Sequence, residues 1–290
     1  MDSQCGFQGN SDIYGLGVRV GVYLQWSTSI FVENLHEPAV ESCRDANTTF
    51  QVAMLAGLVL ITSGPEQKAN ALEAYITLLF CFASACIASL QAISAPRSGE
   101  PTSHSKPGTE RAVRGVGELI LSTAIFAYGV DLLYVGLGQL PRTTCPEIGF
   151  FFWPVDLFAW NRTALKAIFT ISLVGSVVTL LLRVLSLFRR LLQLRSRWGR
   201  PDTPLSPRPT ELVRIVKVSM TKLVSSVVAL VVFIIAIELT LAWNNIYGIY
   251  GCASFSQLFP LIVGAANLVR VIYQLLRSSV VGEARLGWSS

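Results

Sequence analysis

The chain has 290 residues, of which 52% are hydrophobic and only 14% charged. Soluble domains carry about 25% charged residues, so a soluble globular protein is excluded. What charge there is lies between long apolar runs of the kind that cross a bilayer. The net charge of +5 is local. It lies in Arg189, Arg190, Arg195, Arg197, Arg200, Arg208, Arg214, Lys217 and Lys222, a run flanked by apolar segments. That placement reads as a cytosolic loop able to meet acidic lipid headgroups, and nucleic acid is not an expected partner.

Residues 1–12, MDSQCGFQGNSD, have no apolar core. No signal peptide is expected, and the first apolar segment should act as its own insertion signal. The expected fold is all-α, a polytopic transmembrane helical bundle of about seven spans in a single membrane domain over 1–290. The first span, about 12–31, is unusually polar, with Arg19 and Gln25 inside it. The second, about 47–63, ends at Gly64-Pro65, and the third, about 70–93, ends before Pro96. Residues 94–113 are rich in Pro, Ser and Gly and read as a loop. The fourth span covers about 114–138. Residues 139–164 then mix prolines with Phe and Trp, which suits an interfacial loop or a short half-buried helix. The fifth span, about 165–188, leads into the basic cytosolic loop 189–218. The sixth and seventh cover about 219–243 and 253–276. No internal repeat is present, which argues mildly against an inverted-repeat transporter.

Orientation follows from the cations. Arg97, Lys106, Arg111, the basic run, Arg277 and Arg285 fall on one side, against Lys68, Arg142 and Arg162 on the other. The N-terminus is therefore expected to be lumenal and the C-terminus cytosolic, in a multi-pass protein of the endoplasmic reticulum. Cys5, Cys145 and Cys252 then share the oxidising side, where one disulfide among them or three unpaired thiols are the alternatives. The sequon at Asn47 is expected to be cytosolic and unmodified, and the one at Asn161 lies close to the membrane. The six cysteines show no metal spacing, and the only histidines, His36 and His104, stand apart from them. No metal and no other cofactor is expected.

Ionisable groups inside spans are costly and by default functional. Arg19, Glu73, Glu118, Asp131 and Glu238 are in this position. Glu118 lies near the cytosolic start of its span and reads as structural. Glu73, Asp131, Glu238 and Asp12 share the lumenal third of the bundle, and their convergence there is expected. For any single acid the competing reading is a helix-to-helix tie. Tyr128 and Tyr134 flank Asp131 at minus three and plus three, which places an acid between two phenols. Glu238 shares a helical face with Asn245, and Asp12, Arg19, Tyr23 and Trp26 fall on one stripe. Gly17 and Gly21 form a small-xxx-small pair that allows close approach of another helix.

Acyl transfer or metal chemistry would want histidine pairs or clustered aspartates, which are lacking. Protonating an olefin or epoxide needs instead a desolvated carboxylic acid. The resulting carbocation needs aromatic faces, for which Tyr23, Trp26, Tyr128, Tyr134, Trp153, Trp160 and Trp243 are at hand.

The stretches CGFQGNSDIYGLGVRVGVYLQW, DANTTFQVAML and EAYITLLF resemble a set of fungal polytopic membrane proteins. Some of these look like the integral-membrane terpene cyclases of the ascochlorin and macrophorin type. The resemblance covers roughly the first eighty residues and the pattern of spans. It implies a metal-independent cyclase acting on the farnesyl chain of a phenolic meroterpenoid, hence a lipophilic prenylated small molecule as partner within membrane lipid. It carries no residue roles. From burial, Asp131 is the first expected acid, then Glu238 and Glu73. Arg19, Tyr23, Trp26, Tyr128, Tyr134, Trp243 and Asn245 are expected to bind substrate or steady the cation. The alternative is a small transporter, channel or receptor-like protein using the same acids as a proton or cation relay.

Overall fold

The computed structural model describes residues 5–35, 40–64, 69–93, 108–150, 152–197, 212–252 and 254–286. His36, His104, Arg200 and Arg208 lie outside the described residues, as do 94–107 and 198–211 of the expected cytosolic loops.

The chain is an all-α polytopic bundle. Its helices are α1 (Ser11–Tyr14), α2 (Leu16–Leu35), α3 (Val40–Ser63), α4 (Ala71–Ile93), α5 (Gly108–Asp131), α6 (Leu137–Gln139), α7 (Trp160–Arg197), α8 (Leu212–Trp243) and α9 (Phe255–Leu286). Six segments are long and apolar enough to cross a membrane: Ser42–Ser63, Ala71–Leu90, Val113–Gln139, Trp160–Arg189, Leu223–Trp243 and Phe255–Arg277. These correspond to the second to seventh expected spans. α2 matches the first in position, but its Arg19, Gln25 and Glu33 keep it out of that class.

α4 is the central helix, with nearly every residue from Ala71 to Ile87 buried. A helix that is apolar all round belongs inside a bundle. α3, α5 and α8 pack on it, α7 packs outside α5, and α9 packs along α2. Helices in lipid associate through close packing and not through the hydrophobic effect, and the α2–α9 seam shows how. A Cβ on Gly17 would lie 2.5 Å from the Gln257 carbonyl oxygen, and one on Gly264 2.5 Å from that of Gly21. The expected small-xxx-small contact therefore exists, and its partner is α9 around Pro260.

α5 does not run straight to its end. A five-residue π-turn, Leu132–Gly136, separates it from α6. The wider turn loosens the backbone ladder. Arg162 of α7 repairs it by donating from Nε to the Leu133 carbonyl (2.9 Å) and from Nη2 to the Tyr134 carbonyl (3.2 Å).

Two expectations change. The 139–164 connection is not simply a loop or a short half-buried helix: it holds an antiparallel hairpin of β1 (Ile148–Phe150) and β2 (Pro154–Asp156), with Phe152 at positive φ in its turn, and from Trp160 it is already α7. Phe152, Trp153 and Trp160 are exposed there, as interfacial aromatics are. The basic segment is also shorter than 189–218, because α7 continues to Arg197 and α8 begins at Leu212.

The N-terminal strand docks on the α8–α9 connection. Tyr247 N–H donates to the Phe7 carbonyl (3.1 Å), Gly9 N–H to that of Tyr247 (3.0 Å), and Leu16 N–H to that of Ile249 (2.9 Å). A disulfide joins Cys5 to Cys145 with Cα atoms 5.6 Å apart, while Cys252 is an exposed free thiol. This pins the N-terminus beside the hairpin. On sealed vesicles exposing this face, a membrane-impermeant maleimide should label Cys252 directly, and Cys5 and Cys145 only after reduction. Labelling of Cys5 or Cys145 without reductant, or from the opposite side, would contradict the pairing.

Candidate functional site

The four acids lie toward one end of the bundle but do not form one cluster. Each sits near the face carrying the disulfide and the hairpin, and each has separate surroundings.

Asp12 lies on α1, which ends at Gly15 in extended backbone and so leaves the stripe of Arg19, Tyr23 and Trp26. It accepts hydrogen bonds from Ser254 (3.0 Å) and Ser256 (2.5 Å) at the start of α9. Glu73 is the third residue of α4, and it reaches back to the Asn70 N–H (3.1 Å) in the manner of a capping box. It also accepts from Tyr14 Oη (2.8 Å) and the Asn10 N–H (3.1 Å). Burial, and then the Glu73 carboxylate, push the Tyr14 phenol well above its ordinary pKa, so it remains a donor. Glu73 is thus fully occupied in tying the N-terminal segment to α4.

Asp131 is not enclosed between phenols. It is an exposed residue at the junction of α5 and the π-turn. Tyr128 turns toward α3, where its hydroxyl meets those of Thr62 and Ser63. Tyr134, within the π-turn, lies under the Lys166 ammonium, 4.6 Å from its ring centre. A plus-three spacing returns to one face only while the helix is α, and here it is not. Asn245 does not share the Glu238 face either, because α8 ends at Trp243 and Asn245 stands beyond it at positive φ, donating to the Cys5 carbonyl (3.2 Å). Trp243 stacks on Phe150 of the hairpin, 6.0 Å between centres.

One cluster remains, built on α2 and α8. Arg19 is only 1% exposed, and its Nη1 lies 2.5 Å from Glu238 Oε2. Tyr23, one turn further along α2, donates to Glu238 Oε1 (3.0 Å). The Tyr250 ring lies over the guanidinium at 5.3 Å. Tyr23 is stacked on Phe80 at 6.4 Å and tilted on Trp26 at 5.8 Å, and Trp26 Nε1 donates to Ser84 (3.0 Å). Glu238 itself is open, its side chain 41% exposed. It lies on the α8 stripe of exposed Val231, Ile235 and Ala242. α8 and α9 both pack on α2 but scarcely touch each other among the described residues. α2 therefore floors a lateral cleft in which Arg19, Tyr23 and Glu238 meet.

A second charged group occupies the other end of the bundle. Arg44 pairs with the buried Glu33 (2.8 Å), Arg114 with Asp45 (3.5 Å), and Glu118 is half-buried beside them. Among the described residues no group of three His, Cys, Asp or Glu side chains could hold a metal ion. Asn161 is wholly buried, so the folded protein does not present that sequon.

Sequence reasoning found Arg19, Tyr23, Trp26 and Glu238 but missed Tyr250, Tyr14, Asn10 and Asn244. The last is a buried residue that receives the Ile148 N–H (2.9 Å) and donates to its carbonyl (2.7 Å), fastening the hairpin to α8. The signal available was an amide just past an apolar run, which is a common helix-end residue and therefore weak. Comparison with protein-family models, with curated proteins and with solved structures returns no match.

Glu73→Ala should lower stability by about 2 kcal/mol, because it strands buried donors of Tyr14, Asn10 and Asn70. Thermal unfolding in detergent reads this directly. An unchanged midpoint would show that Glu73 is not the tie described.

Proposed function

We propose that this multi-pass membrane protein is a terpene cyclase that closes rings on the farnesyl chain of a lipophilic phenolic substrate. Its chemistry belongs to Tyr23 and Glu238. The observation that carries the reading is an acid that opens sideways from the α8 surface while both its oxygens are held, one by Arg19 and one by Tyr23. A substrate dissolved in the bilayer would reach it through the cleft between α8 and α9 without crossing water.

The donor set suits initiation at an epoxide oxygen. Tyr23 would give its proton to that oxygen as the carbon–oxygen bond breaks, and the prenyl double bonds would attack in turn to close the rings. Glu238 would take the proton released from carbon at the end and return it to Tyr23. The product is then an isomer of the substrate. Glu238 also neutralises Arg19, so the pair presents no net positive charge to the passing carbocation. The rings of Tyr23, Trp26 and Phe80 pack on one another beside this region and would supply the aromatic surface nearest the cation. The same orientation, with the Cys5–Cys145 face lumenal, and residence in the endoplasmic reticulum are part of the proposal. A disulfide on that face supports an oxidising compartment.

A proton or cation relay is the competing reading, favoured by polar side chains along one face of α2 at Arg19, Tyr23, Trp26, Ser29 and Glu33. Between Tyr23 and Glu33 that face has only indole and hydroxyl groups, which meet Ser84 and Asn47. Those ten residues span about 15 Å, and no group there takes up and releases a proton.

Membranes containing the protein should convert a farnesylated phenol epoxide to a cyclised product of the same mass. Glu238→Gln and Tyr23→Phe should each reduce turnover by about a hundredfold or more at normal expression, the scale for removing a general acid or base. Asp131→Asn should stay within a few-fold. Full turnover by both cluster variants, or no conversion by the wild type, would overturn the assignment.

A further inference from the structure

Arg19 uses only part of its guanidinium. Nη1 meets Glu238, whereas Nε and Nη2 are buried and have no hydrogen-bond partner among the described residues. These two nitrogens form one edge of the planar group, with their N–H bonds parallel, and that edge fits two oxygens in one plane. Buried donors are nearly always paired, and an unpaired pair at 1% exposure calls for a partner. Glu238 does not reach this edge, and its own carboxylate is half open and shared with Tyr23. The Tyr250 ring lies over the guanidinium and is itself 57% exposed. It stands in the α8–α9 connection between Gly248, which has φ +80°, and Gly251, whose Cβ position is open space. The ring that lies against the Arg19 guanidinium thus stands on a short segment between two glycines.

We infer that the Nε–Nη2 edge of Arg19 receives a planar, two-oxygen acidic head group on a prenylated ligand. A carboxylate, or a phenolate beside a carbonyl, has this geometry. The head group enters as the Tyr250 ring moves aside and docks on the edge that Glu238 leaves unused. The prenyl tail then lies in the lateral cleft across Tyr23 and Glu238. This names the polar end of the substrate in the cyclase reading and rests on that reading for the tail. It concerns binding and not turnover, so the two can fail separately.

The test is equilibrium binding to the full chain in nanodiscs, followed by tryptophan fluorescence. The probes are farnesylthiosalicylic acid, its methyl ester and oleic acid. The wild type should bind the prenylated acid at least tenfold more tightly than the ester or oleate. Arg19→Lys keeps the charge beside Glu238 but lacks the two-pronged edge, and it should lose most of the acid-over-ester preference. Should Arg19→Lys not accumulate, the wild-type acid-to-ester ratio and its loss in the neutral pair Arg19→Gln/Glu238→Gln decide the matter. Equal affinity of the wild type for acid and ester would overturn the inference and leave water as the occupant of the edge. Oleate binding as tightly as the prenylated acid would overturn the assignment to a prenylated ligand. A preference for the acid without any cyclised product would sustain this inference and sink the proposed reaction.

Discussion

A guanidinium buried inside a helical bundle is the constraint around which this protein is arranged. Removing Arg19 from water costs several kcal/mol unless an opposite charge and hydrogen bonds answer it. Glu238 answers it from α8, Tyr23 completes the carboxylate's second oxygen, and Tyr250 covers the planar face. Arg19 therefore fixes which face of α2 turns inward, and with it the rest of that face. Trp26 meets Ser84 of α4, Ser29 meets Asn47 of α3, and Glu33 meets Arg44. The opposite side of α2 is the glycine face, which takes α9. α2 is too polar to be held by lipid alone, and Arg19, Tyr23, Trp26, Ser29 and Glu33 each meet a side chain of a neighbouring helix.

Much of this was legible in sequence, and the reasons for the rest are specific. Long apolar runs declare themselves, so the second to seventh spans fell where expected, and the polar first span coincided with α2. Arg19, Tyr23 and Trp26 were found because α2 is regular from Leu16 onward and helical spacing holds there. The same spacing misled at both ends of other helices. Asp12 lies before a break at Gly15, Asn245 lies after the end of α8, and Asp131 abuts a π-turn. Nothing in LLYVG announces that turn, because it is sustained from outside by Arg162 of α7. The Glu73 cap was visible in principle as Asn70 followed three residues later by an acid. Its tie to Tyr14 needed the third dimension.

The opening stretch, α3 and α4 touch one another through polar side chains. Asn10 and Tyr14 meet Glu73, and Gln51 meets the backbone of Ser84 one helix further on. Polar side chains in the opening stretch, in α3 and at the start of α4 are therefore a single set of ties. Their common feature is holding the N-terminal segment and α3 against α4. The catalytic proposal draws on a different contact, that of Arg19 and Tyr23 with Glu238 of α8.

Arg19 and Glu238 depend on each other for their place in the bundle. A double-mutant cycle measures this: Arg19→Gln, Glu238→Gln and the combined variant, each followed by unfolding in detergent. Either single change strands the partner charge and should cost on the order of 2–3 kcal/mol, moderated on the carboxylate side by its opening. The combined variant removes both charges and should recover most of that loss, giving a coupling well above the scale of an exposed ion pair. Strictly additive losses, or single variants as stable as the wild type, would contradict the account.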